Sequence, residues 1–411
     1  MKKAIFCIFL VLILAGGLFA RGSSQASGGT TTLTVNTFAG DPYQAAWRVM
    51  FDKFEAANGV KIIHDAIPWE TMGQKQILEL SSNSGSYDVI SVHPFWFEDL
   101  AANGYLVPID DYCNASERAK YVESLLKLYE YKGKIYGLPD WIATQILGYR
   151  KDLFASAGIS APKNWADVVA AAEKLANSNM YGITFPGRKG GALAGIFMTN
   201  LLSNGGWIRD SNGKPTINTP AAIETAEYLQ KLSKLAPSGY QNFHWDENGT
   251  VACNGRAAMI LLMTGNVPWL EDPGRSQTVG KWEYIPISNK VNGGLVESYC
   301  WSVAKNTKNM SAATTLAKFL GDTEAQIYFT EKMGTAGATK AFYENATLAA
   351  THPELKAMNL AFQNSAPIPS WSTWSAEQEV LETGLQDLFN DRANVKSILD
   401  AAQAKMLENA K

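Results

Sequence analysis

Histidine is scarce in this chain of 411 residues, and its four copies, His64, His93, His244 and His352, lie far apart in the sequence. A zinc site or a histidine-based catalytic triad would therefore have to assemble over long range. The signatures of zinc hydrolases, serine hydrolases, phosphate-binding loops and dinucleotide-binding folds are missing as well. These absences weigh against an enzyme, and we expect no catalytic residues, no cofactor and no metal.

Cysteine is equally rare, with four residues in the whole chain. Cys7 lies in an apolar run at the start, which leaves Cys113, Cys253 and Cys300. Three scattered cysteines form neither a disulfide framework nor a metal cluster. Buried thiols are the favoured interpretation, and one disulfide with one free thiol stays open.

Long apolar runs are missing except at the N-terminus. Met1-Lys2-Lys3 precedes an apolar run from Ala4 to Ala15, which is too short to span a bilayer. Small residues follow, and a cut fits after Ala20 or after Ala26. This is the pattern of a secretory signal peptide, predicted here as residues 1–26, and it predicts an extracytoplasmic or periplasmic protein. A buried N-terminal helix is the alternative, which the flanking lysines and the polar stretch to Thr32 disfavour.

An excess of positive charge is missing too. A cut after Ala20 removes Lys2 and Lys3 and changes the formal net charge from −3 to −5. A mildly acidic protein has no electrostatic basis for binding nucleic acid.

Strand and helix patterns alternate after the leader. Strands are predicted at 32–38, 60–63 and 87–92, and helices at 43–57 and 74–82. Short connections between such elements indicate an α/β fold with a parallel sheet, in which ligands bind beyond the carboxyl ends of the strands. Those ends carry Asn36, Thr37, Phe38, Trp69, His93, Phe95 and Trp96.

The second part of the chain continues the alternation with a predicted hairpin at 131–139, where Pro139 ends the second strand. Strands follow at 144–149, 180–185 and 256–263, with helices from 162 to 176, 193 to 203 and 221 to 235. Asp210-Ser-Asn-Gly213 is similar to the start of a calcium loop, but the acid expected at the loop's end is missing. A tight Asn-Gly turn is favoured instead.

Aromatic residues are abundant, with 12 Trp, 16 Tyr and 17 Phe. Many tryptophans adjoin Gly, Pro or Asp rather than sitting inside apolar runs. Such rings can pack against the C–H face of a sugar while neighbouring polar groups bind its hydroxyls. The alternative for each ring is ordinary core packing. The tryptophans with this setting are Trp69, Trp96, Trp141, Trp207, Trp245, Trp269, Trp301, Trp371 and Trp374.

Five segments, in order, resemble the family 1 extracellular solute-binding proteins of ABC importers, the group that includes maltose-binding protein. They are Tyr87-Asp-Val-Ile-Ser-Val with Leu-Val-Pro-Ile-Asp110, Gly133-Lys-Ile-Tyr-Gly-Leu-Pro139, Gly148-Tyr-Arg-Lys-Asp-Leu-Phe154 with Pro162-Lys-Asn-Trp165, Asn254-Gly-Arg-Ala-Ala-Met259, and Trp301-Ser-Val-Ala-Lys-Asn. The resemblance covers about residues 32–408, and the ordered set is far more specific than any one motif.

The resemblance implies a type II periplasmic binding protein with two Rossmann-like α/β lobes, joined by a hinge that the chain crosses more than once. The N-terminal lobe is expected to contain 32–140 and 303–350, and the C-terminal lobe 141–302 and 351–411. Ligand would bind between the lobes, which close over it.

The resemblance also implies further site residues, segment by segment. The central crossing suggests Asp140, Trp141 and Thr144, and a second-lobe loop suggests Arg188. Asp140 is slightly offset in the alignment, and Arg188 is equally consistent with a surface charge. The remaining candidates flank later motifs, and they are Trp245, Asn266, Trp269, Trp301, Trp371 and Trp374.

These observations predict a monomeric, non-enzymatic receptor that captures a small ligand and delivers it to an ABC transporter permease. A mainly aromatic, weakly charged cleft favours a neutral sugar. One alternative is a secreted carbohydrate hydrolase that uses two carboxylates, for example Glu70 and Asp140. Another is a receptor for a different solute, such as a polyol, an amino-acid derivative or a metal chelate.

Overall fold

The structure is a computed structural model that describes residues 30–40, 43–371, 373–390 and 394–409. The predicted signal peptide, with Cys7, lies outside the described residues. Within them, no helix has both the length and the apolar character needed to cross a membrane.

The strands assigned in these ranges are β1 (Thr32–Phe38), β2 (Lys61–Ile67), β3 (Val89–Val92), β4 (Glu130–Tyr131), β5 (Lys134–Ile135), β6 (Leu138–Arg150), β7 (Met259–Met263), β8 (Trp282–Ser288), β9 (Asn292–Val303) and β10 (Ser365–Pro367).

The helices are α1 (Tyr43–Asn58), α2 (Trp69–Ser81), α3 (Pro94–Ala102), α4 (Ala115–Arg118), α5 (Glu123–Leu126), α6 (Lys151–Ala157), α7 (Trp165–Leu175), α8 (Ala192–Ser203), α9 (Pro220–Ser233), α10 (Trp245–Cys253), α11 (Val267–Leu270), α12 (Met310–Leu320), α13 (Thr323–Met333), α14 (Lys340–Tyr343), α15 (Ala346–Thr351), α16 (Glu354–Ala361), α17 (Trp374–Phe389) and α18 (Val395–Asn409).

The first elements follow directly from local sequence. Helix α1 buries one face, including Trp47, Phe51 and Phe54, at helical spacing. It ends before Gly59, whose φ of 64° is the left-handed conformation that closes many helices. Strands β1, β2 and β3 are parallel, as predicted, with β1 in the middle.

Two long strands connect this sheet to the rest of the molecule. Residues 138–144 of β6 pair antiparallel with 296–301 of β9, residues 145–149 pair with β7, and residues 146–150 pair with β8. The other end of β9 pairs antiparallel with β3. The sheet order is β2-β1-β3-β9-β8-β6-β7, with β10 beside β9, so the expected α/β fold is confirmed but its sheet is mixed rather than purely parallel.

Buried apolar residues form two large cores. The first takes residues from 33–143 and 296–362, and the second from 147–295 and 374–406. A smaller core around Ile146, Cys253 and Trp282 lies under β7 and β8. Strand β6 contributes to all three cores, and all 13 of its residues are buried. Leu355 and Phe362, which the resemblance assigned to the second lobe, pack in the first core.

Two predicted elements differ in the structure. The strand expected at 180–185 forms only isolated bridges, in which Tyr181 pairs with Ala257 and Thr184 with Ile260. The hairpin predicted at 131–139 is confirmed in its turn, where Lys132 and Gly133 have φ of 48° and 77°, and in the antiparallel pairing of Tyr131 with Lys134, but its second strand is shorter than predicted. Its strands are two residues long, and Pro139 does not end a strand but lies near the start of β6.

The Asp210 turn is confirmed. The Asp210 carboxylate accepts hydrogen bonds from the backbone N–H groups of Asn212 (2.9 Å) and Lys214 (3.0 Å). These two bonds use the Asp210 carboxylate to stabilise the turn itself.

Candidate functional site

Aromatic rings gather where the parallel strands end. Phe38 is the last residue of β1, Trp69 begins α2 after β2, and His93 and Phe95 follow β3. The centroids of His93 and Phe95 are 4.5 Å apart, and Trp69 lies 5.8 Å from His93. Tyr299 of β9 joins the group, 4.9 Å from both Phe38 and His93. The sequence-predicted strand ends therefore do come together, at one edge of the sheet.

Phe95 has a distinctive position among these rings. It is half-buried and packs against both large cores. A side chain shared by two cores marks the line along which the two halves of the molecule meet. The ring cluster therefore lies at this junction, which is the candidate site.

His93 is oriented by a backbone contact. Its Nδ1 accepts a hydrogen bond from the Phe95 N–H at 3.2 Å. Its side chain is 1 % exposed, and Nε2 has no hydrogen-bond partner. Nε2 lies 3.8 Å from Oε1 of Glu297, which is too far for a hydrogen bond.

Glu297 was not among the predicted site residues. It lies on β9 opposite Ala143 of β6, in the stretch where the two long strands run side by side. Burial, and then the charge of Glu297, raise the pKa of Tyr43. The same two causes raise the pKa of Tyr299 well above its usual range. One carboxylate therefore adjoins the aromatic cluster.

Trp141 extends the cluster along β6. Its ring packs edge-on against Tyr299 at 5.2 Å, and its indole nitrogen has no hydrogen-bond partner. The β6–β9 register shifts just before it, since Pro139 faces Cys300 and Trp141 faces Tyr299. Asp140 is the extra residue of this bulge.

Asp140 is buried, and its Oδ1 has no hydrogen-bond partner. Burial raises the pKa of its carboxyl well above the usual range, which favours the protonated form. Trp301 is fully buried and packs against Trp47 and Phe51 in the first core.

Three predicted residues behind the ring cluster have polar atoms that are used inside the fold. Gln76 donates to Asn36 Oδ1 (2.7 Å) and accepts from the Trp96 indole N–H (2.7 Å). The Thr37 hydroxyl lies 2.7 Å from His64 Nε2. These contacts brace the strand ends that carry the rings.

The Thr144 hydroxyl is also hydrogen-bonded within the protein, since it donates to the Leu295 carbonyl at 2.8 Å. The next residue, Gln145, is buried and its Oε1 has no partner. Its amide nitrogen would lie 2.4 Å from a Cβ at Gly195, so that glycine makes room for it.

A second aromatic group belongs to the other large core. Trp371 is half-buried and Trp374 buried, with ring centroids 5.6 Å apart. The Trp371 indole donates to Glu377 at 3.1 Å, and the Arg209 guanidinium covers one ring face with Cζ 4.1 Å from the centroid. The chain that leads from β10 to Trp371 runs beside β9, where the Ile368 N–H donates a hydrogen bond to the Val296 carbonyl, next to Glu297.

The structure places the remaining predicted residues apart from these two groups. Arg188 is exposed and lies 3.8 Å from Glu247. Trp245 begins α10 and packs half-buried against the second core. Asn266 is buried before α11, and Trp269 packs on the smallest core under the Arg275 guanidinium at 3.7 Å.

Cys113, Cys253 and Cys300 are free and buried, which confirms the interpretation as buried thiols. In residues 30–40, 43–371, 373–390 and 394–409, no group of three His, Cys, Asp or Glu side chains could hold a metal ion.

Residues 40–327 match the model of the bacterial extracellular solute-binding protein family. The chain belongs to this family. Its members are non-enzymatic solute receptors of ABC transporters, which excludes the hydrolase alternative built on Glu70 and Asp140.

Relatives and solved structures support the same assignment. The chain is 24% identical to a Brucella abortus protein named as a binding protein, over 96% of each chain. It is 24% identical to the arabinooligosaccharide-binding protein of Bacillus subtilis, over 64% of this chain and 62% of that protein.

Maltose-bound MalE3 of T. maritima superposes with a TM-score of 0.79 at 18% identity, covering 92% of this chain and 99% of that one. A solute-binding protein of Agrobacterium radiobacter K84 in complex with ribitol gives 0.75 at 24% identity, covering 93% and 98%. These likenesses confirm the type II periplasmic binding fold.

Proposed function

We propose that the mature protein is an extracytoplasmic receptor for a polyhydroxylated solute, a mono- or oligosaccharide or a polyol. It binds that solute between its two lobes and delivers it to an ABC transporter permease. The observation that carries the proposal is the ring cluster of Phe38, Trp69, His93, Phe95 and Tyr299 at the junction of the two cores.

The chemistry of this cluster suits a ligand with apolar C–H faces and many hydroxyls. Flat rings stack on C–H faces, and nearby polar atoms can bind hydroxyls. His93 Nε2, Trp141 Nε1 and Gln145 Oε1 are buried without hydrogen-bond partners. Buried polar atoms are normally paired, so these three are available to a ligand or to water.

The other aromatic group supplies the second wall in this proposal. Trp371 keeps one ring face against Arg209, and its other face is the proposed stacking surface. Walls from both lobes explain why closure would strengthen binding, since closure brings the second set of contacts to the ligand.

A polyol is the second candidate, and a specific observation favours it. The K84 protein, at 24% identity over nearly the whole chain, was solved with ribitol, and a protein of Agrobacterium vitis S4 was solved with D-mannitol. Sugars and polyols share hydroxyl-rich chemistry but differ in the presence of a ring. The experiment should therefore contain both.

The test is a thermal-shift screen of the mature protein against monosaccharides, disaccharides, oligosaccharides and linear polyols, followed by calorimetry on each hit. We expect a saturable rise in Tm with an oligosaccharide, a sugar or a polyol, and no new product by mass spectrometry after prolonged incubation. A Tm that no compound of these classes moves would contradict the proposal. Product formation would contradict the receptor mechanism.

Export is the remaining part of the proposal. The basic start, the short apolar run and the small residues before Ala20 and Ala26 support removal of a signal peptide. Mass spectrometry of the N-terminus from a secreting host tests this. An N-terminus that still begins at Met1 would contradict it.

A further inference from the structure

Glu297 is a carboxylate without a cationic partner at the junction of the cores. Its side chain is 27 % exposed, so it is partly shielded from water. Among the described residues, no lysine or arginine forms an ion pair with it, and the one basic side chain within 4 Å is that of His93, at 3.8 Å. This sets it apart from Glu377, a buried carboxylate that is paired with Arg209.

His93 does not neutralise this carboxylate. Because Nδ1 accepts the Phe95 N–H, the neutral ring carries its proton on Nε2. That N–H points toward Glu297 over a distance too long for a hydrogen bond.

The rest of the surroundings are aromatic. Tyr43 and Tyr299 are close enough for the Glu297 charge to act on their hydroxyls. Phe38 lies between them, with centroid distances of 5.2 Å to Tyr43 and 4.9 Å to Tyr299. Aromatic faces attract cations through their quadrupole and offer nothing that favours a second anion.

Closure of the two lobes over a ligand would remove water from Glu297. Burying a carboxylate is costly unless a positive charge or several hydrogen bonds compensate it. A neutral sugar provides hydroxyl donors only, whereas an ammonium group provides charge and three N–H donors. A ligand with an ammonium group would therefore gain most from closure.

We propose that Glu297, within the ring wall of Tyr43, Phe38, His93 and Tyr299, binds a protonated amine on a polyhydroxylated ligand, as in an amino sugar or an amino polyol. This inference rests on the proposed function and narrows its ligand class. The same geometry disfavours uronic acids and sugar phosphates, because their charge would face an unpaired carboxylate.

The test uses matched sets in which one scaffold carries four different groups. For glucose, the set is glucose, glucosamine, N-acetylglucosamine and glucuronate, measured by calorimetry with the mature protein at about pH 6, where the amine is charged. Parallel sets use galactose, mannose and sorbitol. On a scaffold that binds, we expect the amine to bind about ten- to a hundred-fold more tightly than the neutral parent, and the acid least tightly.

The variant Glu297→Gln identifies the cause of that preference. It removes the charge and keeps the shape, so the amine should lose its advantage while the neutral parent changes little. Glu173→Gln is the matched control, because Glu173 is an exposed acid on α7 and its loss changes the net charge equally. The control should keep the full preference for the amine.

The outcomes separate this inference from the proposed function. Wild-type protein that binds a neutral sugar or polyol as tightly as its amine overturns the inference and leaves the proposed function standing. An amine preference that survives in Glu297→Gln also overturns it. If no sugar or polyol binds, neutral or charged, both fail. The comparison of the amine with its neutral parent in wild-type protein tests the inference even if Glu297→Gln does not fold.

Discussion

The guanidinium of Arg209 lies over the ring of Trp371, with Cζ 4.1 Å from the ring centroid, and both side chains bind the same buried carboxylate, Glu377. Arg209 pairs with Glu377 Oε1, while the Trp371 indole donates to Oε2 at 3.1 Å. Thr373 adds a hydrogen bond to the same carboxylate at 2.5 Å. Trp371 therefore has a fixed orientation before any ligand arrives, which reduces the entropy lost on binding.

Trp371→Ala should weaken ligand binding without unfolding the protein. Loss of one stacking ring should cost about 1–3 kcal/mol of binding free energy. Calorimetry with the best ligand of the sugar and polyol screen measures this. Trp371→Phe keeps a ring and should retain most of the affinity, so an equal loss in both variants would contradict a stacking role.

Arg209→Ala should lower the free energy of unfolding by about 3–5 kcal/mol. The substitution leaves Glu377, whose side chain is 0 % exposed, as a buried charge without a cation. Urea denaturation measures the change. The control is Arg188→Ala, since Arg188 is half exposed and 3.8 Å from its acid, and such pairs contribute little. Similar losses in the two variants would contradict the argument.

Trp141→Ala should also weaken binding, because its ring adjoins Tyr299 and its indole nitrogen has no partner in the fold. We expect a loss of about 1–3 kcal/mol in binding free energy. Unchanged affinity by calorimetry in both Trp141→Ala and Trp371→Ala would show that the cleft is wrongly placed.

The strand ends could be predicted from sequence because their signals are local. The alternation from Thr32 to Phe38 and the helical spacing of apolar residues in α1 are each set by residues that are close together in the chain. Parallel pairing then brings Phe38, Trp69 and His93 to one edge without any further information. This part of the site depends only on the order of strands and helices.

Glu297 could not be predicted in the same way. In the sequence it stands beside Ser298 in a stretch without regular alternation, and a charged residue there normally indicates a side chain facing solvent. Its neighbours Tyr43 and His93 come from the other end of the chain. The register of β9 against β6 places it at the junction, and long-range register is not visible in a single sequence.

The tryptophans of the two long strands are also limited by what a single sequence shows of strand register. Trp141 and Trp301 both lie in strands and are both buried, yet Trp301 packs against Trp47 and Phe51 whereas Trp141 packs against Tyr299 of the ring cluster. The bulge at Asp140 changes which residue of β6 faces β9. Such a shift has no reliable sequence signature, so the sequence alone does not distinguish a tryptophan of the ring cluster from one in the core.

Asp140→Asn should remove a pH dependence of stability. Burial raises the pKa of the folded-state carboxyl, so the folded protein keeps a proton that the unfolded chain releases near pH 4. The stability that this carboxyl contributes is fully present below that pH and is lost as pH rises toward the folded-state pKa.

The asparagine variant has no such loss, so its free energy of unfolding relative to wild type should increase steadily from pH 4 to pH 8. Urea denaturation of both proteins across this range measures the difference. A difference that stays constant with pH would show that Asp140 is not a protonated buried acid.

Glu382→Gln should loosen the loop that precedes α8. The buried Glu382 carboxylate accepts hydrogen bonds from the backbone N–H groups of Gly190 (3.0 Å), Gly191 (2.8 Å) and Ala194 (3.2 Å). It compensates the positive end of the α8 dipole and ties the loop to α17. An amide keeps one acceptor oxygen but not the charge, so we expect a loss of about 1–3 kcal/mol in the free energy of unfolding.

Hydrogen exchange tests where that loss acts. The amides of Gly190, Gly191 and Ala194 should exchange faster in Glu382→Gln, while amides in the first core should change only through global stability. Glu379→Gln is the matched control, because Glu379 is exposed on the same helix and should change stability by less than about 0.5 kcal/mol. Equal protection of the three amides in both variants would mean that the loop is held by its backbone alone.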